Sequence, residues 1–170
     1  MSKESDNESA RPSPFTPRTS VDVSAGLVFR SGKLLITRRH ADAHLGGLWE
    51  FPGGKRESGE TFEACLVREL QEELGIQVDV GAMFDETTHA YPEKSVHLKF
   101  FVCRIGRGEP RPLGCAALKW VTRADLAAHE FPGADATLLQ RLLLADDLWQ
   151  GRQTPGDFPA IREPGSEPLS

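Results

Sequence analysis

Residues Gly53–Ile76 read GGKRESGETFEACLVRELQEELGI. Thr61 is a cap-type residue ahead of an apolar-periodic run, and Gly75 closes that run. The pattern predicts a helix capped at Thr61, running to Leu74 and ending on a C′ glycine. That helix crowds Glu69, Glu72 and Glu73 together. Glu69 and Glu73 lie one above the other on it, where like charges cost roughly 0.2–0.5 kcal/mol per pair. At about 100° per residue the three carboxylates span an arc of roughly 100°, and Phe62, Cys65 and Leu66 fall on nearly the same arc. Gln71 and Ala64 lie opposite. The acid cluster therefore continues the inward-facing stripe, whereas an ordinary solvated acidic run would lie on the back. Sheltered carboxylates need counter-charge. Hard divalent cations that take oxygen ligands suit them best, Mg²⁺ first.

Working outward, the chain has 170 residues, a net charge of −5 and 39% apolar residues. That describes one domain with tails and a sizeable core. No basic stripe points to a nucleic-acid polymer as main partner, and no apolar run approaches membrane-spanning length. The first twenty residues lack the apolar core of a signal peptide. Cys65, Cys103 and Cys115 are far apart, without metal-type spacing, and read as reduced thiols of a cytoplasmic protein. Residues 1–20 are polar and proline-bearing, and residues 148–170 are rich in Gly, Pro and Ser; both read as disordered tails around a domain at 21–147.

Within that domain, VDVSAGLVFR and KLLITRR flank a Ser31-Gly32 turn and predict a hairpin. LWEF is a short apolar segment stopped by Pro52-Gly53-Gly54. IQVDVGAMFDETT and SVHLKFFVCRI are strand-like, LKWV is a short strand, and RADLAAHE and ADATLLQRLLLAD close the domain as helices. Strands around one central helix, with a terminal helix, predict a mixed α+β sandwich.

The residues near the acid cluster read as chemistry. Gly53 and Gly54 let backbone approach a ligand closely. Lys55, Arg38 and Arg39 lie near that turn and can meet phosphate oxygens. Arg68 can hold a carboxylate by a two-pronged hydrogen bond, and Glu60 can do the reciprocal for an arginine. The sum is a metal site for hydrolysing a phosphate anhydride.

The stretch resembles the Nudix box, GX5EX7REUXEEXGU with U aliphatic. Gly54, Glu60, Arg68, Glu69, Leu70, Glu72, Glu73, Gly75 and Ile76 meet every specified position. ITRRHADAHLGGLWEFPGGK and FPGAD extend the likeness to the MutT-type branch that hydrolyses oxidised nucleotides, from about Leu34 to Trp120 and beyond. The resemblance implies a Nudix α/β/α sandwich with a mixed sheet. It implies Mg²⁺, with Mn²⁺ as substitute, held by Glu69, Glu72, Glu73 and the Gly53 carbonyl. Glu69 would be the catalytic base or position the water, with Arg68 and Glu60 orienting. The substrate would be a modified nucleoside triphosphate such as 8-oxo-dGTP, cleaved to monophosphate and pyrophosphate in cleaning the nucleotide pool.

Departures from the branch matter too. An extra loop glutamate of the branch falls here at Gly114, with Glu109 five residues earlier. Asp135 replaces a base-reading asparagine, and Lys94 replaces an arginine. Asp at that place is found in relatives called CTP pyrophosphohydrolases, so modified pyrimidine nucleotides are an alternative substrate. A further alternative is a non-catalytic 8-oxoguanine-binding module, disfavoured because every box carboxylate is present. Caps, dinucleoside polyphosphates and NDP-sugars are disfavoured only by the flanking segments. Arg39 and His44 match substrate-pocket positions, although a loop histidine is as often merely exposed. Phe51 suits pocket wall or core equally. Trp49 and Trp120 read as core, and His89 and His97 as structural.

Overall fold

The computed structural model describes residues 19–92, 94–152 and 158. The first eighteen residues of the expected N-terminal tail, and most of the C-terminal one, lie outside them. Strand β1 (Thr19–Arg30) turns through Ser31 and Gly32, both at positive φ, into antiparallel β2 (Lys33–Arg38). β3 (Trp49–Glu50) and β7 (Ala117–Val121) pair with β2. β5 (Gln77–Ala90) and β6 (Lys94–Arg107) form a long antiparallel pair, with register shifts between Val80 and Asp85. β6 joins β1 in parallel, from Thr19 opposite Lys94 to Val28 opposite Cys103.

β1 and β2 each carry a continuous apolar run, as strands buried on both faces do, and their successive side chains point to opposite faces and sort the core into two layers. Val28, Leu35, Phe101 and Cys103 face helix α1 (Phe62–Leu74), whose Leu66, Leu70 and Leu74 are fully buried. Leu27, Phe29, Leu34, Ile36, Phe100 and Val102 face the opposite side, covered by α2 (Arg123–Leu126), α3 (Ala136–Leu144) and α4 (Asp146–Trp149). The arrangement is the expected α+β sandwich with a mixed sheet. The helix caps are those expected. The Thr61 hydroxyl accepts the Ala64 N–H at 3.1 Å, and Gly75 adopts φ 70°.

Three expectations need correction. Pro52-Gly53-Gly54 is not merely a stop: Gly53–Lys55 forms a strand, β4, antiparallel to β1. The helix expected over RADLAAHE covers only Arg123–Leu126, and a 3₁₀ turn at Gly133–Asp135 precedes α3. The boundary at residue 147 cuts through α4. Trp149 is buried, donates its indole N–H to the Leu142 carbonyl at 2.8 Å and meets Phe29 edge-on at 5.1 Å. Phe158 is buried in the same layer, with the Arg104 guanidinium 4.6 Å from its ring centre.

Trp149→Ala is therefore expected to lower stability by about 3–5 kcal/mol, the range for deleting a buried large aromatic. A chain ending at Asp147 should melt roughly 10 °C or more below the full chain. Thermal melts of both variants check this.

Candidate active site

The site begins with two positions where a side chain has no room. A Cβ on Gly53 would overlap the Ser24 carbonyl, and one on Gly54 would overlap the Glu69 carboxylate. β4 thus lies flat against β1 while α1 brings Glu69 down onto it. Glu69 is held from the side: the Arg68 Nη1 donates to its Oε1 at 2.8 Å. Arg68 also grips both oxygens of Glu60, through Nε at 2.8 Å and Nη2 at 2.9 Å, and Nη2 donates to the Lys55 carbonyl at 3.1 Å. That fork, with the Glu57 N–H, holds the Glu60 carboxyl down to about 2. The same two carboxylates raise Arg68 further above its usual range. The reciprocal Arg68–Glu60 arrangement expected from residue types is present as a two-pronged pair.

A cleft of about 460 Å³ opens beside this contact, a size suited to a nucleotide-class ligand. Gly53, Gly54, Glu69 and Glu73 line it, as do Arg39, His44, Phe51, Lys94 and Asp135. Lys55 lines it too. Most of the expected site residues thus share one cavity. Arg68 and Glu60 stand behind it, acting through Glu69. Glu72 is outside: its side chain is 60% exposed and lies 3.6 Å from the Arg68 guanidinium.

Phe51 is both wall and core. It is 5% exposed, stacked on Phe131 at 5.1 Å and edge-on to Phe100 at 6.1 Å. Arg38 is turned away, donating to the Gly47 carbonyl at 2.9 Å. Glu109 is elsewhere, paired on both oxygens with Arg30 at 2.8 Å, and it does not line the cleft. Trp49 and Trp120 pack against the two core layers, and His97 sits between Asp22 and Glu86. His89 lines the cleft and meets Tyr91 edge-on at 4.6 Å.

Glu50 is a cleft residue that sequence reasoning overlooked. It forms an ion pair with Arg39, and Arg39 also donates to the His44 carbonyl. Its signal was a lone charge between Trp49 and Phe51, directly before the glycine turn. Ser24 was overlooked too. It is fully buried, lines the cleft, and its hydroxyl has no hydrogen-bond partner among the described residues.

The electrostatics are those of a site short of cations. Burial, then the Glu69, Glu50 and Glu72 carboxylates, push the Glu73 carboxyl up to about 7, with Arg39 only partly opposing. Burial and then Glu50 push Asp135 up to about 6. Among the described residues no three Asp, Glu, His or Cys side chains converge closely enough to hold a metal ion as they stand. The donor set nevertheless fits a hard divalent cation: all oxygen, with Glu73 sheltered and under-compensated beside Glu69 and the Gly53 backbone. Asp135, 7% exposed, stands at the N-cap position of α3 but makes no side-chain capping hydrogen bond. The residue lines the cleft instead.

The comparisons with known proteins agree with this geometry. The family described as the NUDIX domain matches residues 24–141. An 8-oxo-dGTP diphosphatase of Escherichia coli K12 is 35% identical over 123 residues, covering 72% of this chain and 95% of that protein. A CTP pyrophosphohydrolase of the same organism is 32% identical over 123 residues, covering 72% of this chain and 91% of that protein. The solution structure of the E. coli ORF135 protein superposes with a TM-score of 0.67 at 30% identity, covering 79% of this chain and 96% of that one.

Asp135 gives a pH-dependent prediction. Its folded pKa is raised, so its contribution to stability is present below the unfolded value of 3.8 and is lost as pH rises through about 6. Asp135→Asn removes that loss. The variant should melt above the parent at pH 8, by about 5 °C, and match it near pH 4; melts across this range are the check.

Proposed function

The chain belongs to the Nudix hydrolase family, and from that premise we propose that it is a Mg²⁺-dependent pyrophosphohydrolase of modified nucleoside triphosphates, 8-oxo-dGTP among them. Mn²⁺ is expected to substitute for Mg²⁺. The observation that carries this reading is the single cleft lined by Glu69, Glu73, Gly53 and Gly54 together with Phe51 and Asp135. An acid-lined cleft repels a polyphosphate unless cations sit between them. Glu69, Glu72, Glu73 and the Gly53 carbonyl would hold those cations. When bound, they neutralise the polyphosphate and lower the pKa of water.

The chain's own residues supply the rest. Arg68, anchored by Glu60, orients Glu69, which would accept the proton of the attacking water or position that water. The water oxygen bonds to the β-phosphorus and the bridging oxygen departs with the α-phosphate, giving nucleoside monophosphate and pyrophosphate. Arg39 and Lys94 would meet the phosphates or sugar, with His44 beside them. Phe51 offers an apolar ring face to the base. Asp135 faces the base edge: ionised it only accepts hydrogen bonds, and protonated it also donates. A nucleic-acid polymer is not expected as substrate.

A second reading, hydrolysis of CTP or 5-substituted pyrimidine nucleotides, is favoured by the acidic residue at 135, since a cytosine amino group offers the donor a carboxylate needs. The similarity to a CTP pyrophosphohydrolase supports it as well.

Three measurements test the proposal. Glu72→Gln or Glu73→Gln should lower kcat by about 100-fold or more, a loss of roughly 2.7 kcal/mol in barrier stabilisation. Near-full turnover by a folded variant with Mg²⁺ rejects the metal assignment. In ¹⁸O-water the label should enter pyrophosphate; label in the monophosphate rejects attack at the β-phosphorus. Across a panel of modified and normal (d)NTPs, Asp135→Asn should change kcat/KM for the best substrate at least about tenfold and reorder the bases. A uniform loss would mean that Asp135 does not read the base, and the parent's own ranking separates the purine reading from the pyrimidine one.

A further inference from the structure

The loop after β6 is bonded through its backbone to the last turn of α1. The N–H groups of Leu113 and Gly114 both donate to the Glu73 carbonyl at 3.0 Å, and Arg111 N–H donates to the Leu74 carbonyl at 2.9 Å. A helix end leaves such carbonyls without intrahelical partners. Gly75 and Ile76 N–H groups take the Gln71 and Leu70 carbonyls, so the loop completes the cap from outside. The Leu113 and Arg111 side chains lie beside Gly75 at the same end, although Leu113 is 56% exposed.

Gly114 is where the loop meets Glu73 most closely. A Cβ there would stand 3.1 Å from the Glu73 Cγ, 3.3 Å from its Cα and 3.4 Å from its Cβ. Gly114 is not among the glycines with positive φ. Space, and not backbone conformation, restricts a side chain there: Glu73 would have to give by a few tenths of an ångström.

We propose that Gly114, with the backbone from Arg111, is a positioning residue for Glu73: the loop walls off one side of the helix end and directs that side chain toward Glu69 and the cleft. The inference rests on the reading of Glu73 as a metal ligand. It also reverses an expectation of the resemblance. Where the resembled branch carries a glutamate that can serve as ligand, this chain has Gly114, whose backbone abuts Glu73 so closely that any Cβ there would press on the Glu73 Cγ.

The test is Mn²⁺ binding to the full chain without nucleotide, followed by electron paramagnetic resonance of the free ion. Parent, G114A, E73Q and the double variant are compared. Metal-free melts accompany them, and titrations run well below each midpoint, so that loss of fold does not enter. E73Q and G114A should each weaken Mn²⁺ binding by about tenfold, the low end for losing an orienting contact at a metal site. In the E73Q background G114A should change it less than about twofold, because its effect passes through Glu73. If E73Q binds Mn²⁺ like the parent, the metal-ligand reading itself fails. If E73Q weakens binding and G114A does not, or G114A acts equally with and without Glu73, the positioning role is overturned while the ligand reading survives. Tighter binding by G114E would also overturn it.

Discussion

Everything at the site depends on a contact that only hydrogen atoms can occupy. Gly53 and Gly54 let β4 lie against β1 and under Glu69 with no side chain between. Remove that clearance and α1 must lift from the sheet, taking with it the stripe of Leu66, Leu70 and Leu74 that forms one core layer. The stability of the helix-side core and the placement of the carboxylates are therefore one packing problem. Gly26, further along β1, differs: a Cβ there would make only ordinary contacts, 3.5 Å from Leu66 and Leu70.

On this frame the charges are arranged asymmetrically. Arg68 compensates Glu69 and Glu60 from behind the cleft. Within it, Arg39 is already engaged by Glu50. That leaves Glu73 and Asp135 sheltered and under-compensated, which is why both carboxyls titrate above their ordinary range. A protein retains such a cost where the groups have work to do on a ligand. Glu109 illustrates the contrary case, a carboxylate spent on a surface arginine that itself stacks on Trp120 at 4.4 Å.

How much of this could be read in the chain follows from the range of the forces involved. Local rules sufficed for α1: a threonine cap, a glycine stop and a helical stripe placed Cys65 and Leu66 inside and Gln71 outside, as found. The same stripe put Glu72 inward, yet its side chain is 60% exposed, because it sits at the edge of the arc, away from the buried face of Leu66, Leu70 and Leu74. β4 was illegible because glycines carry no strand signal; only the tertiary pairing with Ser24 and Ala25 makes them a strand. Trp149 and Phe158 were hidden by their neighbours, whose composition reads as tail although single aromatics in it are core. Asp135, singled out through the FPGAD likeness and not by a local rule, lines the cleft at the turn that opens α3. Glu50 was missed because its partners, Arg39 and the field of Glu73, belong to other elements.

The parallel pairing of β1 with β6 has a consequence in time. Its partners, beginning with Thr19 and Lys94, are separated by most of the domain, and such pairings close late because the intervening chain's entropy must be overcome first. The cleft floor is made of both strands: Val21, Val23 and Ala25 from one, Val96, Leu98 and Phe100 from the other. During synthesis α1, with its full set of box carboxylates, leaves the ribosome well before β6 does. The residues of α1 thus exist in the nascent chain before the opposite wall of the cleft does, and the cleft is complete only once the strand on the far side of the sequence has docked.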